Sequence, residues 1–187
     1  MKKPEGYEEA TAITGDFTPL PAGAYVCAIK EAQEKASKSG RNMLELKLDI
    51  AEGPFTGHFE SLAKTLATDA SWPCVYRQLS DGPSVPHFKG LITAIEESNA
   101  GFRWNFNESE LLGKSLGMVF RREQYTKRDG SIAWITCPCG ARSASAVRAG
   151  KCPVPDDKPL LVKLSKPSWD PGQVGTTFGV DESDLPF

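Results

Sequence analysis

Histidine is scarce: the 187 residues contain two, His58 and His87. General acid–base chemistry would therefore fall to carboxylates, and none of these forms an evident catalytic pair. The chain has no G-x-x-x-x-G-K-[ST] phosphate loop, no H-E-x-x-H and no G-x-S-x-G, so the common nucleotide-hydrolysing, zinc-protease and esterase sites are not written in it. It lacks any apolar run near the roughly 18 residues of a membrane-spanning helix, and residues 1–9 lack the apolar stretch of a signal peptide. The expectation is a cytoplasmic protein without a membrane partner. Five cysteines (Cys27, Cys74, Cys137, Cys139 and Cys152) cannot all pair, and a reducing compartment favours free thiols over a disulfide framework.

Two arrangements of metal-ligating residues are incomplete. Cys137-Pro138-Cys139-Gly140 puts one residue between its cysteines, whereas zinc knuckles use two so that both sulfurs converge on one tetrahedral ion. With Cys152 as a third ligand, a fourth would have to come from Cys74, Cys27, His58 or His87. His58-Phe59-Glu60 followed by Pro73-Cys74 is similar to the zinc deaminase signature, but Arg77 stands where its second cysteine belongs. No metal, no cofactor and no enzymatic activity are expected.

What is present is ordinary globular material, 40% hydrophobic and 25% charged, with a net charge of −2. The small total hides a segregation. Residues 111–170 carry 11 Lys or Arg against 5 acids, residues 91–110 carry 1 against 4, and residues 171–187 carry none against 3. Binding responds to the local field, so a basic region with an acidic tail is compatible with a polyanionic ligand.

Periodicity divides the chain. Residues 1–17 read as a loose arm. Residues 24–31 read as a strand buried on both faces, residues 32–42 as a polar loop, and Leu44, Leu46, Leu48 and Ile50 alternate with Glu45, Lys47 and Asp49 as a half-buried strand. After Gly53-Pro54, residues 55–62 read as a third strand with Gly57 as a bulge. Residues 63–86 read as a short helix plus loop. Phe88, Leu91, Ile92 and Ile95 mark one helical face that closes near Asn99-Ala100-Gly101. Phe102, Trp104 and Phe106 alternate in an extended piece, and Asn107 with Glu110 reads as a capping box for one turn ending at Gly113. Residues 115–125 and 131–137 form a predicted hairpin around Asp129-Gly130. Ser143 caps a short helix reaching Arg148, and residues 153–164 are extended. The Pro- and Gly-rich residues 165–180 read as a linker.

The order β-β-β-α-β-β predicts a mainly β chain: a five-stranded Greek-key barrel of the oligonucleotide-binding (OB) type over residues 18–164, with one or two short helices and a disordered C-terminal tail. A generic β-sandwich or an α+β sheet is the alternative. Such barrels grip nucleic-acid strands with the loops joining strands 1–2 and 4–5. Here those loops hold Lys35, Lys38 and Arg41, and Lys127 and Arg128. Arg121, Arg122 and Tyr125 lie on the adjoining strand and Trp134 lies opposite. Cations for phosphates, and aromatics on which bases stack, are the ingredients of sequence-tolerant single-strand binding. Tyr25 and Trp72 are further candidates for stacking.

The chain closes on Asp181-Glu182-Ser183-Asp184-Leu185-Pro186-Phe187. An acidic run with a terminal apolar pair and a free carboxylate suits a hydrophobic pocket rimmed by Arg or Lys. This ending resembles the acidic tip of bacterial single-stranded DNA-binding proteins, with Ser183 inside the acidic run and Leu185 where Ile is usual. Residues 18–165 resemble phage-encoded proteins of that role through Pro21-Ala22-Gly23-Ala24-Tyr25, Gly53-Pro54-Phe55-Thr56-Gly57 and Leu112-Gly113-Lys114. The resemblance implies single-stranded DNA as ligand, in the cytoplasm of a bacterial host. It further implies recruitment of a helicase, primase, polymerase or annealing recombinase through Asp181, Glu182, Asp184, Leu185, Pro186 and Phe187. A homo-oligomer is compatible with it. The rivals are an adaptor that uses the same tip without touching DNA, and an accessory to a nuclease or deaminase.

Overall fold

A computed structural model describes residues 19–66 and 71–160. The predicted arm over residues 1–17, the linker over residues 165–180 and the tip over residues 181–187 lie outside the described residues. The elements run β1 (Gly23–Ala36), β2 (Asn42–Ile50), α1 (His58–Thr65), β3 (Val75–Leu79), a 3-10 turn (Gly82–Ser84) leading into α2 (Val85–Ser98), a second 3-10 turn (Glu108–Leu111), β4 (Ser115–Thr126), β5 (Ile132–Arg142) and α3 (Ala144–Arg148). All strand pairs are antiparallel, and the five-stranded sheet has the order β3-β2-β1-β4-β5. This is the strand order of the expected Greek-key barrel. Its outer strands β3 and β5 touch, but no ladder joins them and the sheet is not closed.

The strands alternate as the sequence reading requires. Leu44, Leu46, Leu48 and Ile50 of β2 face a core shared with Cys27 and Ile29 of β1, Leu116, Met118 and Phe120 of β4, and Leu91 and Ile95 of α2. The other face of β2 is less polar in its surroundings than the alternation implies, because Glu45 and Asp49 are also buried. The predicted polar loop over residues 32–42 is shorter than expected. β1 continues to Ala36, held by ladder partners as far as Asn42, and the connection narrows to residues 37–41.

The third strand is not at residues 55–62. Gly53 (φ 87°) and Gly57 (φ 74°) turn the chain in the left-handed region, and α1 follows. Phe55, Phe59 and Leu62 have helical spacing, and Phe59 stacks on Phe120 with ring centroids 6.0 Å apart. The cap of α1 comes from a distant strand. Asp49 Oδ1 accepts from the backbone N–H of Phe59 at 2.9 Å and from its neighbour Ile50 at 2.9 Å, satisfying an end of the helix that Gly57 cannot. The third strand is β3, inside the stretch read as short helix plus loop. It pairs with β2 from Met43–Leu79 to Lys47–Val75.

Phe102, Trp104 and Phe106 form no strand. Asn107 does cap the following turn, its Oδ1 accepting from Ser109 N–H at 3.1 Å. Glu110 does not return to Asn107, as a capping box would have it. It accepts instead from Asn105 Nδ2 at 2.8 Å, and Asn107 N–H donates to Asn105 Oδ1. Ser143 caps α3 as expected, accepting from Ala146 N–H. In the described part of the extended piece after it, residues 153–160, only Lys158 pairs, bridging to Glu123 in parallel.

Helix α3 approaches β4 at Gly117. A Cβ there would lie 2.5 Å from Val147 Cγ2 and 2.8 Å from the Ser143 carbonyl oxygen. Gly117→Ala is expected to lower stability by about 1–3 kcal/mol through overpacking, measured by urea unfolding. Val147→Ala in the same chain should recover only part of this, because the carbonyl contact remains.

Candidate nucleic-acid interface

The two basic hairpin loops have one construction. Ser37 N–H donates to the Arg41 carbonyl at 2.7 Å and Gly40 N–H to the Ser37 carbonyl at 2.9 Å. Lys127 N–H donates to the Ser131 carbonyl at 2.8 Å and Gly130 N–H to the Lys127 carbonyl at 3.0 Å. Each is a three-residue connection with glycine in the left-handed region, Gly40 at φ 76° and Gly130 at φ 83°. In the second, Asp129 also accepts from the Ser131 N–H and hydroxyl, and these bonds hold its carboxyl below its ordinary range.

The ladder places the loops apart. Strand β1 pairs with β4 only from Gly23–Phe120 to Ala28–Ser115. β1 therefore runs past the start of β4 to its own loop, and β4 runs past the start of β1 to the other. The two basic tips leave opposite ends of the ladder and do not close on a single phosphate.

The cations also differ in what they already hold. At the first loop, Arg41 Nε donates to Asp81 Oδ1 at 2.7 Å, and its Nη2 reaches the Asp81 carbonyl at 2.7 Å and Ser84 Oγ at 3.2 Å. It staples the hairpin to the turn before α2. Lys35 lies 2.5 Å from Glu45, whose other oxygen takes Arg77 at 2.6 Å. These bonds outweigh burial and hold the Glu45 carboxyl below its usual range. Lys38 makes no ion pair among the described residues.

At the second loop, Lys127 and Arg128 stand exposed and make no ion pair among the described residues. Behind them β4 and β5 form a ribbon. Gln124 pairs with Trp134 and Tyr125 with Ala133, so exposed Trp134 and Ile132 share one face of the ribbon and exposed Tyr125 and Ile135 the other. Arg122 lies over the Trp134 ring, 4.7 Å from its centroid, and 3.3 Å from Asp157. Arg121, on the opposite face, is bound to Glu123 at 2.8 Å. Trp134 and Arg122 form one wall of a cavity of ≈ 360 Å³, faced by Pro19, Pro21, Phe59 and Leu62. His58 also lines it. Burial, partly offset by the Asp49 charge, lowers the pKa of His58.

Tyr25 and Trp72 are built into the barrel wall. The Tyr25 ring meets Phe55 and Phe120 edge-on at 5.9 and 5.7 Å, and its hydroxyl donates to the Pro21 carbonyl at 2.9 Å. The Trp72 indole N–H donates to the Leu48 carbonyl at 2.8 Å. Arg122 and Trp134 are thus brought together on one face of the ribbon whose tip carries Lys127 and Arg128, Tyr125 lies on its other face, and Lys35, Arg41, Tyr25 and Trp72 are engaged elsewhere. Sequence reasoning passed over the Trp104–Phe106 pair, which alternation presented as an ordinary strand face.

The cysteines are all free. Burial, with the nearby Asp49 charge, pushes the Cys27 thiol up to about 12, and burial also raises Cys74, Cys137 and Cys139. No group of three His, Cys, Asp or Glu able to hold a metal occurs among the described residues, and no helix among them is long and apolar enough to cross a membrane.

Because Glu45 has a native pKa below its ordinary value of 4.5, its pairing contributes stability that is complete above that pH and drains as pH falls through the native value. Glu45→Gln should cost about 1–2 kcal/mol at pH 7. Urea midpoints of the two proteins should converge on acidification below about pH 4.

Residues 8–72 match the model of a family described as a protein of unknown function (DUF669). That stretch includes β1, β2 and α1 and ends before the ribbon. No curated protein matches the chain.

Proposed function

We propose that the β4–β5 ribbon binds single-stranded DNA. The observation that carries this reading is the conjunction at the ribbon of exposed Trp134, the guanidinium of Arg122 over its ring and the cations Lys127 and Arg128, which make no ion pair among the described residues. An indole offers a face to any base, and cations that hold no carboxylate can neutralise phosphates without first breaking an ion pair. The roles expected from the sequence narrow accordingly. Trp134 stacks on bases with the Arg122 guanidinium against its ring, and Lys127 and Arg128 contact phosphates. Lys35, Arg41, Tyr25 and Trp72 support the barrel. Protein and DNA meet by binding alone, with no reaction.

The resemblance of the C-terminal tip supplies the second half of the proposal, recruitment of a replication or recombination enzyme by residues 181–187. Lys158 N–H donates to the Arg122 carbonyl and Gln124 N–H to the Lys158 carbonyl, each at 2.9 Å, so the chain passes along the edge of the ribbon before residues 161–187.

Trp134→Ala should weaken binding of a single-stranded oligonucleotide about 5- to 150-fold, the equivalent of about 1–3 kcal/mol for one stacked base. Fluorescence anisotropy measures it, with a duplex of equal length as control. Lys127→Ala with Arg128→Ala should flatten the salt dependence by about 1.4 in log–log slope, at about 0.7 per phosphate. Arg41→Ala should leave that slope unchanged and lower the Tm. Unchanged affinity in both ribbon variants would refute the assignment and favour the adaptor reading.

If the acidic tip competes with DNA for the ribbon, deletion of residues 181–187 raises single-strand affinity at low salt and the gain fades as salt rises. Unchanged or lower affinity would count against this competition.

A further inference from the structure

Phe106 is the one non-glycine with positive φ among the described residues, at 68°, and it is 76% exposed. A bulky side chain in this region costs about 1–3 kcal/mol, and an exposed ring recovers little of that by burial. The loop around it is tightly tied. Glu96 Oε1 accepts from the Trp104 N–H at 3.0 Å, and the Trp104 indole donates to the Asn107 carbonyl at 2.8 Å. Asn99 Nδ2 donates to the Ser115 carbonyl at 2.8 Å while its Oδ1 accepts from Ser115 N–H. These bonds hold the aromatic outward in a conformation that glycine would adopt without strain.

Phe106 lies against Trp104 with centroids 5.0 Å apart, and Trp104 against Phe88 at 5.9 Å. With Met43 they line a groove of ≈ 270 Å³ whose rim carries Glu34 and Glu108. That is below the roughly 300–1,000 Å³ of small-molecule sites, and suits an anchor side chain. Neither glutamate makes an ion pair among the described residues. Of the cations on the adjoining hairpin, Lys35 and Arg41 are bound to Glu45 and Asp81 and Lys38 stands in its loop, so the two glutamates leave the rim with a negative balance. Such a rim repels phosphates and attracts cations.

We propose that this groove docks a peptide segment of a partner protein that presents one apolar side chain flanked by Lys or Arg. The apolar side chain enters beside Trp104 and Phe106, and the cations meet Glu34 and Glu108. The groove lies at the β1–β2 end of the ladder, so docking leaves the β4–β5 ribbon free. The proposal does not depend on what the ribbon binds.

The test is a selection of random dodecapeptides displayed against the full chain, followed by anisotropy with the enriched peptides. The result expected is enrichment of Lys or Arg around a single Leu, Ile, Met or Phe. Phe106→Gly should weaken those peptides about tenfold or more while its Tm stays equal to or above that of the parent, since the strain is relieved. Glu34→Gln with Glu108→Gln should weaken them and remove their salt sensitivity, and oligonucleotide affinity should be unchanged in all these variants. Enrichment of acidic or uncharged peptides, absence of enrichment, or undiminished binding by Phe106→Gly would overturn the proposal. So would a loss of oligonucleotide binding in Phe106→Gly, which would assign the groove to nucleic acid.

Discussion

Much of this architecture follows from where β1 and β4 part company. Their ladder ends at Gly23–Phe120, just after Pro21, a residue that has no N–H to offer a neighbouring strand. Up to Phe120, β4 is a central strand with buried side chains. Beyond it the same strand has β5 on one side and an open edge on the other. Two strands alone have no interior to hide apolar groups, and so Tyr125, Ile132, Trp134 and Ile135 are exposed. The same parting frees an edge that the chain near Lys158 partly covers, which also blunts a site where another chain could add a strand.

Glu45 and Asp49 show how the barrel accommodates polar groups on β2. Both carboxylates are buried and neither is left alone. Asp49 holds the start of α1, and α1 in turn carries Phe59 onto Phe120. Glu45 draws Lys35 from β1 and Arg77 from β3 onto one centre, a cross-strand cluster at an edge where apolar packing is thin. Cations that composition alone offers to a polyanion are spent here on folding.

How far the sequence could be read follows from the range of the forces involved. The Asp129-Gly130 hairpin, the Ser143 cap and the α2 stripe are local signals, and each lies where the pattern puts it. The third strand was illegible for a physical reason. Val75–Leu79 becomes a strand because β2 offers it an edge and Glu45, 32 residues away in sequence, a partner for Arg77. Residues 58–65 form a helix whose missing cap is supplied by a carboxylate on β2. Charge counting likewise ranked Arg41 with Lys127, although only the fold reveals that Asp81 already holds the first.

The same logic separates the two exposed aromatic surfaces. At Trp134 the ring is covered by the Arg122 guanidinium, which also holds Asp157, and the hairpin ends in Lys127 and Arg128, whereas the groove beside Phe106 is lined by Glu34 and Glu108. Stacking and apolar contact are available at both, so ring chemistry alone cannot assign a ligand to either. The sign of the local field separates the two proposals, because phosphates meet unfavourable Coulomb work at the Glu34–Glu108 rim and cationic peptides meet it at the ribbon. A net charge of −2 conceals this division. It is legible only when the antiparallel register sends the basic hairpin and the acidic groove to opposite ends of one ladder, where each can be engaged while the other is occupied.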